Sequence, residues 1–270
     1  TSGCGTPAVT VRIRDIQGAS QTPPLLNQSV TGVTGIVTGL KSNGFFMQDP
    51  LPDANDATSE GIFVFTNNAP TVSVGTSVTV NGFVNQFFNL TQITSPVITV
   101  VSSGNALPAP IVIGTGGRVP PNTIIDDDGN TTFDAATDGL DFYESLEGMR
   151  VQVNNAIVVG STNNFGEIVV VGDSGANGGG FTPRGGIYIT PTDFNPERIF
   201  LDDGINPTPV LTTGDYFTAP IIGVLDYTYS LSGGTYRMQA GSGVVDARVV
   251  PGVYDLLYER GESTSSSGDR

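Results

Sequence analysis

The sequence predicts an all-β protein: two tandem five-stranded barrels with long acidic loops, one short helix and extended termini. Three observations carry that prediction. Apolar residues alternate with Thr, Ser and Asn at period two, in runs bounded by Gly, Asn and Pro. The composition suits strands and turns, with 36 Gly and 18 Pro in 270 residues and only 14% charged residues. The strand pattern also occurs twice, on either side of Gly104-Asn105-Ala106-Leu107-Pro108-Ala109-Pro110, which reads as an interdomain linker.

The first half offers strands at Ala8–Ile13, Ser29–Lys41, Gly44–Gln48, Gly61–Thr66, Ser77–Gln86, Leu90–Thr94 and Val97–Ser102. The second half offers Ile111–Ile113, Met149–Gly160, Ile168–Val171, Gly186–Thr190, Arg198–Leu201, Phe217–Tyr229 and Thr235–Ala240. A short helix is expected at Asp141–Glu147, capped by Asp141, with Leu140, Tyr143 and Leu146 on one face. The halves echo each other around Val74-Gly75-Thr76-Ser77-Val78 and Thr213-Gly214-Asp215-Tyr216-Phe217. In both, a turn glycine precedes a long strand that carries another glycine, Gly82 or Gly223. A glycine inside a long strand marks a bend, and long bent strands close small barrels. The pattern therefore reads as two oligonucleotide/oligosaccharide-binding (OB)-like barrels. Residues 1–104 form the first with an N-terminal extension, 105–250 the second with an acidic insertion, and 251–270 a tail.

Composition excludes several chemistries. The chain has no His and no Trp, one Cys and a net charge of −15 from 26 acidic and 11 basic residues. Without His there is no Ser-His or Cys-His nucleophile and no imidazole metal ligand. A pI near 4.1 argues against a broad footprint on nucleic acid or anionic membrane. No window reaches the ~20 apolar residues of a membrane span. Cys4 has no internal partner, and is either a free thiol or a bridge to another chain. The first residue is Thr1, and the single Lys sits within a Ser/Thr/Asn/Gly-rich chain. An extracellular, secreted protein with its leader removed is expected. Asn27-Gln-Ser29, Asn89-Leu-Thr91 and Asn130-Thr-Thr132 match the short glycosylation pattern.

Longer motifs carry a resemblance. Asp15-Ile16-Gln17-Gly18, Gly44-Phe45-Phe46-Met47-Gln48-Asp49-Pro50, Asp56 through Phe65 and Val74-Gly75 occur in that order. Tyr143-Glu144-Ser145-Leu146-Glu147-Gly148-Met149-Arg150-Val151 and Arg198-Ile199-Phe200-Leu201-Asp202-Asp203-Gly204 follow. Residues 4–250 so resemble the tandem OB-like region that precedes the catalytic domain in bacterial secreted nucleases of the endonuclease/exonuclease/phosphatase superfamily. The resemblance implies the fold and a secreted setting. It does not imply nuclease activity, because that catalytic domain uses histidines, would follow residue 250, and is not expected in a chain ending at Arg270. The family's first OB region also pairs a Cys near Cys4 with a second one, and the stretch from Val97 to Gly104 has none.

The acids are clustered. Asp49, Asp53, Asn55, Asp56 and Glu60 share one Pro-broken loop; Asp126, Asp127, Asp128, Asn130, Asp134, Asp138 and Asp141 share another; Asp202 and Asp203 form a third group. Between Asp126 and Glu147 there are eight acids and no base. Ca²⁺ takes six to eight oxygens from such carboxylates, amides and carbonyls. Ca²⁺ is expected at Asp126, Asp128, Asn130, Asp134, Asp138 and Asp141, with Asp49, Asp53, Asn55, Asp56, Glu60, Asp202 and Asp203 as further candidate ligands. The loop is not an EF-hand, because Thr131 replaces the sixth-position Gly and Thr137 the twelfth-position Glu. A merely solvated acidic loop is the alternative for the first two groups. For Asp202-Asp203 it is a turn bonding its own backbone. Glycosidase chemistry by paired carboxylates is disfavoured, since the acids lie in turn-rich runs and no Trp lines a cleft.

Phe45, Phe46, Phe63, Phe65, Phe83, Phe87 and Phe88 fall on neighbouring strands and read first as core. Nucleic-acid binding is disfavoured, because Arg12, Arg14 and Lys41 are the only bases of the first half. Beyond the second barrel, Val253, Tyr254, Leu256, Leu257 and Tyr258 form an apolar stretch suited to docking on a neighbouring copy's sheet edge. Head-to-tail repetition of that contact builds a filament. The expected function is thus a secreted, non-catalytic, Ca²⁺-binding structural protein that self-assembles. The alternative is an accessory, nucleic-acid-positioning region of a secreted nuclease. Carbohydrate adhesion rests on fold analogy alone.

Overall fold

The computed structural model describes residues 11–230, 233–240 and 258–259. In the first half, helix α1 (Ile13–Gln17) precedes β1 (Ser29–Lys41), β2 (Gly44–Gln48), β3 (Gly61–Phe65), β4 (Ser77–Phe87) and β5 (Leu90–Ser102). These strands close into a barrel in the order β1-β2-β3-β5-β4. β3 and β5 run parallel, and the other pairs are antiparallel. β1 is long enough to serve both ends of the closure: Ser29–Ile36 pairs with β4 and Ile36–Lys41 with β2. Alternation sends Val33, Val37, Phe45, Met47, Val64, Val80 and Ile93 into one core.

Two elements differ from expectation here. The expected strand Ala8–Ile13 gives way to α1 at Ile13. Asp15 accepts the Arg12 backbone N–H at 2.8 Å, which satisfies a donor at the helix start and turns Ile13 and Ile16 inward together. Leu90–Thr94 and Val97–Ser102 are one strand, because β4 pairs along its whole length and the kink at Ser95 (φ 49°) is absorbed as a register shift.

The second half contains β6 (Ile111–Ile113), α2 (Gly139–Glu144), β7 (Arg150–Val153), β8 (Ile157–Gly160), β9 (Ile168–Val171), β10 (Ile199–Asp202), β11 (Tyr216–Phe217), β12 (Ile221–Ser230), β13 (Gly233–Ala240) and β14 (Tyr258–Glu259). The nine strands form a sheet in the order β14-β11-β8-β9-β10-β13-β12-β7-β6. Its middle, β8-β9-β10-β13-β12-β7, repeats the order of the first barrel, again with one parallel pair, β10 with β13. The difference is that the first strand of the repeat is broken. Expected as one run from Met149 to Gly160, it splits at Asn154-Asn155, where Asn155 has φ 46°. The carbonyls of both asparagines are taken by the N–H groups of Asp173 and Ser174 at 2.8 Å, so neither can continue a ladder. The second barrel is therefore interrupted where the first is sealed. A helix sits before the first strand in both, and Phe142, Tyr143 and Leu146 enter the second core.

Three further expectations change. The helix begins at Gly139, with Asp138 before it, and Asp141 does not cap it. The run Gly186–Thr190 makes isolated bridges only, because Tyr188 N–H bonds Gly180 and Thr190 bonds Asp193 within tight turns. The run from Phe217 is cut at Pro220, which leaves the two-residue β11 and the long β12.

The halves meet along a tight polar seam. Glu147 is fully buried there, and its Oε1 accepts from Gln17 Nε2 (3.3 Å) and from the Thr91 N–H (3.0 Å) of the first half. The Glu147 carbonyl accepts the Ser59 hydroxyl at 2.6 Å, and Gln48 Oε1 accepts the Arg150 N–H at 2.8 Å. Gly61 and Gly148 touch backbone to backbone. A Cβ on Gly61 would collide with the Gly148 carbonyl and Met149 N, and Gly148 itself holds φ +73°. Beside them Phe46, Phe63, Leu90 and Val224 form a small shared core. Lys41 Nζ lies 2.7 Å from Oδ2 of the buried Asp226.

Two predictions follow from this seam. Gly61→Ala should destabilise the protein by about 2–3 kcal/mol, read as a lower urea midpoint, because neither backbone can give way. Burial first, and then the Glu144 charge, pushes the Glu147 carboxyl well above its ordinary value of 4.5, with Asp226 adding to the rise. The folded state then holds a proton that the unfolded state releases, so stability is present below about pH 4.5 and falls as pH rises. Glu147→Gln should flatten that fall and raise the melting temperature at neutral pH. A steeper fall in the variant would contradict the assignment.

Candidate functional site

The acidic loop between β6 and α2 brings three expected ligands together. One carboxylate oxygen from each of Asp126, Asp128 and Asp138 lies within 4.8 Å of the other two. Local hydrogen bonds set this geometry. Asp126 Oδ1 accepts the N–H groups of Asp128, Gly129 and Asn130, which coils the loop. Asp128 accepts from Thr131 and Thr132 (2.8–2.9 Å), and these bonds hold its carboxyl below the usual range. Asp138 is anchored at the start of α2 and buried, and its Oδ1 has no hydrogen-bond partner. Burial first, and then the neighbouring Asp127, Asp141 and Asp126 charges, raises its carboxyl above the ordinary value. Three carboxylates are thus crowded around one point, and one oxygen of Asp138 lacks a partner.

The remaining candidates of this loop play other parts. Asp141 is buried and braces the loop: its oxygens accept from Gln21 Nε2 (2.7 Å) and the Asp134 N–H (2.6 Å). Asp134 accepts the Ala136 N–H, and Asn130 adopts φ 59° as a turn residue. Asp134 does not join the three-carboxylate group.

The first acidic loop is organised by arginines of α1 and its lead-in. Asp49, almost fully buried, receives both Nε (2.6 Å) and Nη2 of Arg12, a bidentate pair. Arg14 reaches Asp53 at 3.2 Å and Glu60 at 3.8 Å, and Glu60 Oε1 also accepts the Asp53 N–H. Asn55 closes a local turn on the Ala57 N–H, and Asp56 lies at the exposed loop surface. The expectation of Ca²⁺ ligands at Asp49, Asp53 and Glu60 thus meets a different solution: cations from the same chain occupy their oxygens. The sequence reading placed Arg12 at the end of a strand, Ala8–Ile13, and did not foresee the helix that carries Arg14. At the third group, Asp202 Oδ1 accepts the Gly204 N–H at 2.8 Å, the turn reading of that pair, while Asp203 packs on Gly166. Burial raises the Asp202 carboxyl.

A second concave feature lies on the outer face of the first barrel. Alternation turns Phe63 and Phe65 of β3, Leu90, Gln92 and Thr94 of β5, and Phe83, Asn85 and Phe87 of β4 outward, and they line a groove of about 780 Å³. Lys41, Asn43, Asn67, Phe88 and Tyr227 complete its walls. The register sets Phe63, Gln92 and Asn85 in one row across three strands. Gln92 Nε2 donates to Asn85 Oδ1 at 3.2 Å. Phe83, Phe87 and Phe88 are 37%, 59% and 55% exposed. Core packing, expected of these phenylalanines, holds for Phe45, Phe46 and Phe63 and fails for this trio.

Of the docking stretch, Val253, Tyr254, Leu256 and Leu257 lie outside the described residues, as does Cys4. Tyr258 belongs to β14 and pairs with Phe217 of the same chain. Among the described residues no helix is long and apolar enough to cross a membrane.

A family model described as "Domain of unknown function (DUF8508)" matches residues 112–248. No curated protein matches the chain. Among solved structures, the crystal structure of fission yeast Pot1 and ssDNA aligns over 92% of this chain and 88% of that one, with 13% identity and a TM-score of 0.30.

Proposed function

We propose that this chain, which belongs to the DUF8508 family, is a secreted, non-catalytic tandem-barrel protein that holds Ca²⁺ in its second acidic loop and serves a structural role. The observation that carries this reading is the convergence of Asp126, Asp128 and Asp138 on one point, with Asp138 Oδ1 buried and unpartnered. Ionised carboxylates so placed repel one another, and a divalent cation with oxygen ligands offsets that repulsion. Hard, flexible oxygen donors of this kind suit Ca²⁺ better than Mg²⁺, which keeps several waters and few carboxylates. Loop carbonyls and water would complete the shell. A non-catalytic role accords with the lack of His and with the placement of the raised carboxyls Glu147 and Glu197, which are 0% and 2% exposed. Self-assembly into an extracellular filament or surface polymer rests on the apolar C-terminal stretch read from the sequence. The nuclease-accessory alternative draws on the resemblance and the barrel order.

Calcium at a hundredfold excess over its Kd should stabilise the fold by about 2.7 kcal/mol relative to chelator. For a chain of this size that is a rise of about 5–10 °C in melting temperature. Asp138→Asn should abolish the rise. In chelator alone the variant should melt no lower than the parent, since it removes a buried charge. An unchanged melting temperature on adding Ca²⁺ to the parent would falsify the calcium reading. Electron microscopy with and without chelator tests assembly separately, and monodisperse monomers in both would end that part of the proposal.

A further inference from the structure

The outer groove of the first barrel belongs to neither acidic loop, and its chemistry points to a ligand of its own. We infer that it binds a neutral oligosaccharide chain. Phe83 and Phe87 stand four residues apart on β4, about 13 Å along the strand. The amides of Asn85 and Gln92 lie between them. Aromatic faces accept the C–H faces of sugar rings, and amides supply both donors and acceptors for hydroxyls. The Asn85–Gln92 bond fixes both amides in place before any ligand arrives.

Charge selects against the other chain-like ligands. Among the described residues the lining contains no carboxylate and a single cation, Lys41, whose ammonium is already paired with Asp226 at 2.7 Å. A nucleic acid strand needs a line of unpaired cations, and the whole protein carries −15. A peptide that adds as a strand needs an open sheet edge. At the centre of the groove Gln92 and Ile93 of β5 are paired with β3 on one side and β4 on the other, so that stretch offers no open edge.

The turn that carries the aromatic end of the groove is strained in a telling way. Phe88 (φ 49°) and Asn89 (φ 76°) form a two-residue hairpin turn between β4 and β5, with both residues left-handed. Asn and Gly suit that turn, and a bulky aromatic does not. The Phe88 ring sits at the tip, 4.6 Å from the Phe87 ring in an edge-on pair, and more than half exposed. Strain of this sort gathers at ligand clamps.

The test is affinity electrophoresis of the intact chain through gels containing hydroxyethylcellulose, glucomannan, laminarin or dextran. Heparin and the oligonucleotide dT12 serve as charged comparators. At least one neutral polysaccharide should retard the parent. Phe87→Ala and Phe88→Asn should each weaken that retardation by about tenfold or more, as for a central aromatic contact. Phe88→Asn should keep the parent's melting temperature, because Asn fits the turn, so its loss of binding cannot be read as unfolding. The inference is overturned if no neutral polysaccharide retards the parent, if both variants bind as the parent does, or if dT12 binds more tightly than any glycan. It is equally overturned if sedimentation shows a dimer that Phe87→Ala dissociates, since a second copy would then cover the groove. None of these readouts depends on Ca²⁺, so the two proposals fail separately.

Discussion

The contact of Gly61 with Gly148, and the buried Glu147 beside it, is the constraint on which the rest of the molecule depends. Two barrels of similar order could sit side by side in many ways. Here they are locked by main-chain atoms pressed together with no side chain between them. The close approach drags Glu147 out of water and obliges the first half to supply donors for it, from Gln17 and Thr91. It also brings Val224 onto Phe46 and Phe63, and Lys41 onto Asp226. The wall of the aromatic groove, where Tyr227 meets Phe63 and Phe65, exists because of that packing.

Charge is handled differently on the two sides of the seam. In the first acidic loop the fold neutralises carboxylates internally, with Arg12 and Arg14 projected from α1 and its lead-in. Arg12 grips Asp49 through two nitrogens, which fixes direction as well as charge. In the second loop no arginine among the described residues enters the three-carboxylate group, and backbone N–H groups and threonine hydroxyls bond its oxygens instead. Those dipoles satisfy Asp126 and Asp128 and leave one oxygen of Asp138 dry. Loops of similar composition thus end in different electrostatic states, one paired with arginines and one left with an unpartnered carboxylate oxygen.

Much of the fold was legible because alternation is a local property. Runs such as Ser29–Lys41, Gly44–Gln48 and Ile168–Val171 are rich in β-branched or aromatic residues and are flanked by turn residues, and an extended conformation buries them best. The misreadings share a cause. Ile13 and Ile16 fit a helix only because Asp15 reaches back to the Arg12 N–H, and a five-residue helix leaves almost no periodic trace. The break at Asn154-Asn155 follows from N–H groups nearly twenty residues away. Residue type drew attention to Asp126, Asp128 and Asp138. Nothing in their spacing separated them from Asp49 or Asp141, because partners distant in sequence decide which carboxylates are already bonded.

By itself the sequence determined the class of the fold, the doubling of its strand pattern, the lack of histidine chemistry and the loops in which the negative charge is gathered. These depend on composition and short-range periodicity, which a chain carries whatever its neighbours do. Tertiary structure alone decided the seam, the identity of the carboxylate with an unpartnered oxygen, and the emergence of Phe83, Phe87 and Phe88 at the surface. Alternation shows that a residue faces one side of a strand. Whether that side meets a core, another barrel or water depends on strand order and on what packs against it.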